Sequence, residues 1–153
     1  MRQSLLSISP RTLHALEQYA IRSSTAISPL LKQHFEWTQK TFADGDRSSS
    51  LPQAQWMMDL AKKVRPHRVL DIGCYTGLSA IAWHEGTAET EAMVRRPSSS
   101  IDPTVHRRPD KQTFPQIHTI EKDPVFARTA RESFERLGCE KRVTVLEGTA
   151  QDM

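Results

Sequence analysis

An α/β fold built on a parallel sheet is predicted by three observations. Val69, Leu70 and Ile72 form a short apolar run with β-branched members, preceded by Pro66 and closed by Gly73, as suits a strand covered on both faces. Gly73 and Gly77 then let the chain turn sharply and bring its backbone close to a ligand. Two further strand-like runs follow, Ile117–Glu121 and Arg142–Glu147, with a helical stretch between them. This strand–turn–helix–strand order is that of a Rossmann-like sheet.

Ahead of the sheet, residues 1–50 read as an amino-terminal helical segment ending in a polar loop. Leu13, Leu16 and Ala20 recur on one helical face, and Leu30, Leu31, Phe35 and Trp37 mark a second helix. Leu5, Leu6 and Ile8 are interrupted by serines and stopped by Pro10, so no secretory signal is read there. Asp44-Gly-Asp-Arg-Ser-Ser-Ser50 is a polar break. Ser50 is placed to cap the next helix, with Pro52 in its first turn and a packing stripe of Trp56 or Met57, Leu60, Ala61 and Val64. Residues 51–153 then form a partial cofactor-binding domain.

The glycine turn narrows the ligand. A dinucleotide fingerprint needs a second glycine two positions after the first, so that the main chain can touch a pyrophosphate. Here that position is Tyr75. Asp71 would repel phosphates but attract the cationic amino-acid tail of S-adenosylmethionine. The pattern Asp71-x-Gly73-x-x-x-Gly77 therefore favours S-adenosylmethionine over NAD. At the end of the second strand, Glu121 is placed to accept hydrogen bonds from ribose hydroxyls, with Asp123 as the alternative, and Pro124 opens the following helix. Phe126, Ala127, Ala130, Phe134 and Leu137 repeat at helical spacing, and Gly138 is placed to end that helix. Gly148-Thr-Ala150, after the third strand, supplies a small-residue turn to lie against an adenine.

Together, Leu51-Pro-Gln-Ala-Gln-Trp-Met-Met58, Asp71-Ile-Gly-Cys-Tyr-Thr-Gly-Leu-Ser79, Thr119-Ile-Glu-Lys-Asp-Pro124 and Glu147-Gly-Thr-Ala-Gln-Asp152 resemble the class I methyltransferases. The closest likeness is to the cation-dependent O-methyltransferases of the caffeoyl-CoA and catechol type, and within them the fungal members. It extends over residues 11–93 and 117–153. The resemblance implies cofactor contacts from Asp71, Gly73, Tyr75, Thr76, Gly77, Ser79, Glu121, Gly148 and Ala150. It also implies that Ser49 and Ser50 lie where a loop closes over the methionine end of the cofactor. It implies a small phenolic or catechol-like hydroxyl as acceptor, and amino-terminal helices that pack on the sheet and help to form a homodimer.

In that family a divalent cation of the Mg2+ type lowers the pKa of the acceptor hydroxyl, and its first ligand follows a fourth strand. The sequence ends at Met153, so the fold is expected to be truncated after the third strand, carrying the cofactor half with no catalytic residue and no metal ligand. The Val69 strand is then left as an apolar edge open to pairing with another chain. Two other readings stay open: a catalytically inactive cofactor-binding or subunit-pairing module, and an NAD-binding Rossmann half.

Residues 94–116 interrupt the pattern. They hold four of the nine prolines and five Lys/Arg against two Asp/Glu, with no helical or strand period, and read as a disordered insertion. The whole chain has 21 Lys/Arg and 18 Asp/Glu, so the net +3 resides in this segment. Its presence puts Glu121 44 residues after Gly77. Removing it brings the two to within roughly 20 residues of each other, the usual distance from a glycine turn to its ribose acid. Val94-Arg95 and Phe114-Pro-Gln116 can be encoded as splice donor and acceptor, so the segment is read as a translated retained intron.

A chain of 153 residues fits one modest domain. Cys74 and Cys139 form no disulfide framework or metal spacing, as in a reducing cytoplasm, and the six histidines form no zinc pattern. No aromatic residue interleaves with the arginines around Ser98–Ser100, which argues against nucleic acid. No apolar run is long enough to cross a membrane.

Overall fold

The computed structural model describes residues 9–23, 25–88 and 116–151. Its core is a parallel sheet in the order β1–β2–β3, formed by β1 (Arg68–Ile72), β2 (Gln116–Glu121) and β3 (Val143–Glu147). Val69 faces Ile117 and Ile72 faces Ile120 across the first ladder. Ile120 faces Leu146 and Glu121 faces Glu147 across the second. All three strands therefore end together, which is where open α/β sheets bind their ligands. The insertion expected over 94–116 lies outside the described residues except for Gln116, which opens β2.

The helices are α1 (Pro10–Ser23), α2 (Pro29–Thr41), α3 (Leu51–Val64), α4 (Leu78–Gly86) and α5 (Pro124–Leu137), with a 310 turn at Gly45–Arg47. Ser50 caps α3 as expected. Its hydroxyl accepts from the Gln53 amide while the Gln53 side chain accepts from the Ser50 amide, a reciprocal capping box. Asp123 caps α5 by accepting from the Val125 amide, and Gly138 ends that helix in the left-handed conformation.

Three expectations about faces are corrected. The buried stripe of α3 is Leu51, Ala54, Gln55, Met58 and Ala61, while Trp56 and Val64 are exposed. The true stripe keeps the 3, 4, 7 spacing but includes a glutamine, which hydropathy alone assigns to solvent. Buried Gln55 accepts from the Ser28 amide and donates to Asp59 (3.1 Å), tying α3 to the start of α2. On α2 the fully buried positions are Leu31, His34 and Thr38, with Leu30 and Phe35 only partly covered. On α1, the face of Leu13 and Leu16 that was expected to pack stays exposed, together with Tyr19; the helix leans on α3 without covering that face.

A fourth correction concerns β1, expected to be covered on both faces. Among the described residues it is an edge strand, with Leu70 and Ile72 both more than 60% exposed. The apolar edge expected at the Val69 strand is thus present among the described residues. The core proper lies on the other side of the sheet, where α4 and α5 pack through Leu78, Ile81, Ala130 and Phe134 against Ile117 and Val143.

His34 is the buried polar group with the largest consequence. Its Nε2 donates to the Thr76 carbonyl (3.1 Å), and Nδ1 has no hydrogen-bond partner among the described residues. Burial, reinforced by the charge of Arg136 and opposed by the Thr76 carbonyl, pushes its pKa down from 6.5 to about 4. Cys74 and Cys139 are buried free thiols, pushed up by burial to about 12 and about 11, and are inert for that reason.

Two outcomes are expected. Because the unfolded chain takes up the His34 proton first, stability falls as pH drops below 6.5 and levels off once the folded form titrates near 4. The loss is about 3 kcal/mol, and denaturant titrations of His34→Phe across that window should show it abolished; an unchanged pH slope would refute the assignment. The open β1 edge should make the chain self-associate at micromolar concentration, and a single sharp monomer boundary in sedimentation velocity would count against this.

Candidate functional site: a cleft at the carboxyl ends of the strands

The carboxyl ends of β1, β2 and β3 open onto a cleft of about 270 Å3, lined by Ile72 at the end of β1 with Gly73 and Tyr75 after it, by Ile120 and Glu121 at the end of β2 with Lys122 after it, and by Gly148, Thr149 and Ala150 after β3. Arg47 reaches it from the 310 turn. Three segments far apart in sequence thus meet because parallel strands discharge their loops on one side of the sheet.

Glu121 is the hub of this cleft. It is 6% exposed, and its two carboxylate oxygens accept from the Tyr75 amide (2.8 Å) and the Asp123 amide (3.0 Å). The Gly148 amide donates to its main-chain carbonyl (2.9 Å). One residue therefore links the glycine turn, the start of α5 and the turn after β3. Asp123, the alternative ribose acid, is engaged in capping α5.

Gly73 has φ +84°, and the side on which a Cβ would stand is open to the cleft. Tyr75 follows with φ +52°, a left-handed conformation that costs a non-glycine residue of order 1–3 kcal/mol and persists only when its surroundings over-determine it. Those surroundings are visible. Its amide is held by Glu121, its phenol donates to Asp44 (2.9 Å), and its ring packs on Phe126 at 4.4 Å and near Phe42 at 6.0 Å. Burial and the Asp44 carboxylate push its phenol up to about 12, so it stays protonated and donates.

Other residues expected to touch the cofactor stand behind the turn. The Asp71 carboxylate accepts from Ser79 and Thr119, each at 2.8 Å, and burial raises its pKa against the pull of those two hydroxyls. Thr76 is fully buried with its hydroxyl against that of Thr38 (2.9 Å). Gly77, at φ +104°, has Phe134 so close that an added Cβ would stand 2.6 Å from the ring, so it serves the packing of α5. For these four, Asp71, Thr76, Gly77 and Ser79, the side-chain positions are spent on shaping the turn. Ser50 is spent on the α3 cap, and neither it nor Ser49 lines the cleft. The cleft thus gathers Gly73, Tyr75, Glu121, Gly148 and Ala150 from the expected set.

Sequence reasoning missed Arg47, Asp44, Phe42 and Phe126. Arg47 pairs with Asp44 (2.9 Å) and its guanidinium lies 5.1 Å from the centres of both the Tyr75 and Phe126 rings. That pair holds the Asp44 carboxyl below the usual range, with help from the Tyr75 phenol. The Asp-x-x-Arg spacing at 44–47 was the only local signal, and it reads as an ordinary surface pair.

No protein-family model matches the sequence. The chain is 27% identical over 150 residues to the O-methyltransferase ankF of Aspergillus thermomutatus, covering 98% of this chain and 53% of that protein. It is 23% identical to the O-methyltransferase hkm8 of Aspergillus hancockii over 94% of this chain and 48% of that protein. Among solved structures it resembles the SAH-bound Podospora anserina methyltransferase PaMTH1, with a TM-score of 0.75 and 33% identity over 97% of this chain and 54% of that one. The SAH complex of a Bacillus cereus O-methyltransferase shares the fold, with a TM-score of 0.62 and 21% identity over 90% of this chain and 51% of that one. The chain spans about half the length of the curated relatives it matches. Its sequence and its Rossmann-like α/β fold relate it to the class I S-adenosylmethionine-dependent O-methyltransferases.

Proposed function

We propose that the cleft binds S-adenosylmethionine, and that the whole protein transfers the methyl group to the hydroxyl oxygen of a small phenolic or catechol-like acceptor. The observation that carries this is the Glu121 carboxylate at the end of β2, facing a glycine turn on one side and the small-residue turn Gly148–Ala150 on the other. When bound, the cofactor supplies an electrophilic methyl group. The residues described here bind and orient it.

Glu121 keeps lone pairs beyond those given to the Tyr75 and Asp123 amides, and these accept ribose hydroxyls. Gly73 presents bare backbone to the ligand, and Gly148 to Ala150 leave room for a flat base. A dinucleotide suits the cleft less well, because the Tyr75 side chain stands where a pyrophosphate requires glycine. Among the described residues no group of three or more His, Cys, Asp or Glu side chains is placed to hold a metal ion.

The same reading takes the protein as cytoplasmic and homodimeric, with a small-molecule acceptor and no nucleic-acid or membrane partner. Among the described residues no helix is long and apolar enough to cross a membrane. A second reading, a cofactor-binding module that pairs with another subunit, draws on the open β1 edge.

Calorimetry with S-adenosylmethionine and S-adenosylhomocysteine tests the assignment, with NADH as competitor. Both adenosyl ligands should bind and NADH should not displace them. Glu121→Ala should lose about 1–3 kcal/mol of affinity, as for a hydrogen bond to a charged acceptor. Unchanged affinity in a variant with the wild-type circular dichroism spectrum would remove Glu121 from the site.

A further inference from the structure

The loop before α3 carries a cation into the cleft that the cofactor reading leaves without a role. Arg47 lines the cleft beside Tyr75 and Glu121, and its position is built, not incidental. Asp44 acts as a bracket: one carboxylate oxygen accepts from Arg47 Nη1 and the other from the Tyr75 phenol, both at 2.9 Å. Phe42, Tyr75 and Phe126 form a ring cluster with centres 4.4 to 6.0 Å apart, and the guanidinium rests over two of them. Each contact is individually weak at an exposed position. Together they hold the guanidinium in one place at the mouth of the cleft.

We propose that Arg47 binds the carboxylate of the cofactor's amino-acid tail and so selects ligands that carry that tail. The inference rests on the cofactor reading above and deepens it. Glu121 takes the ribose and Gly148–Ala150 the base, which leaves the Gly73–Tyr75 side of the cleft for the tail. Arg47 stands over Tyr75 at the end of the glycine turn, with Phe126 of α5 under it at the same distance, whereas the other cation of the lining, Lys122, directly follows Glu121 in the chain. A guanidinium has five N–H donors in a planar fork, so Nη1 can stay on Asp44 while others meet a second carboxylate. Its charge is matched to the one anionic group of the tail.

The test compares S-adenosylhomocysteine with 5′-methylthioadenosine, which shares the adenosine and thioether but lacks the amino-acid carboxylate. Binding to the 153-residue chain, Arg47→Met and Arg47→Lys is measured by calorimetry at low and high salt. Arg47→Met should weaken S-adenosylhomocysteine about tenfold and abolish most of its salt dependence, with 5′-methylthioadenosine unchanged. Arg47→Lys, which keeps the charge without the fork, should fall between. An equal loss for both ligands would make Arg47 a wall of the cleft and overturn the proposal, as would no loss for S-adenosylhomocysteine. Failure of the unaltered chain to bind either ligand would overturn the cofactor reading itself.

Discussion

The Glu121 carboxylate is the interaction on which the cleft depends. Buried at the end of the middle strand, it accepts from the Tyr75 amide on one side and the Asp123 amide on the other. A buried charge is costly unless hydrogen-bonded, and here main-chain amides supply the compensation. Those same amides belong to a turn in a left-handed conformation and to the residue that caps α5, so satisfying one carboxylate fixes two loops. The Gly148 amide on the Glu121 carbonyl adds the third.

Around this hub the glycine turn is braced from behind. His34 and Thr38 on α2 hold the carbonyl and hydroxyl of Thr76, and Asp71 gathers the hydroxyls of Ser79 and Thr119. Phe134 fills the space left by the missing side chain of Gly77. The turn is therefore a braced shelf with polar groups paired on its inner side, and Gly73 and Tyr75 line the cleft. Such preorganisation lowers the ordering cost of binding, which otherwise subtracts directly from affinity.

The front of the cleft is built differently. The segment from Phe42 to Arg47 is joined to Tyr75 and Phe126 by ring contacts, a cation over rings and one carboxylate bridge, all partly exposed. These interactions are individually weak and screened by water and salt.

Much of this was legible in the chain because it is locally encoded. The three strands, the Ser50 and Pro124 helix starts, the Gly138 stop and the order of Asp71, Gly73, Glu121 and Gly148 follow from apolar period, capping chemistry and glycine placement, which act over a few residues. The tertiary structure alone decided the rest. It turned Thr76, Gly77, Ser79 and Asp71 to the inner side of the turn, buried His34 and Gln55 among apolar neighbours, exposed Leu70 and Ile72 on an edge, and brought Arg47 beside Tyr75 and Phe126. The physical reason is that a buried polar side chain's partner is chosen by what packs against it: for His34 and Gln55 that partner comes from a different element, and for Arg47, whose ion-pair partner Asp44 is local, it is the rings of Tyr75 and Phe126 that the loop brings beneath it. Sequence spacing places a residue on an element; only the packing of elements gives it a neighbour.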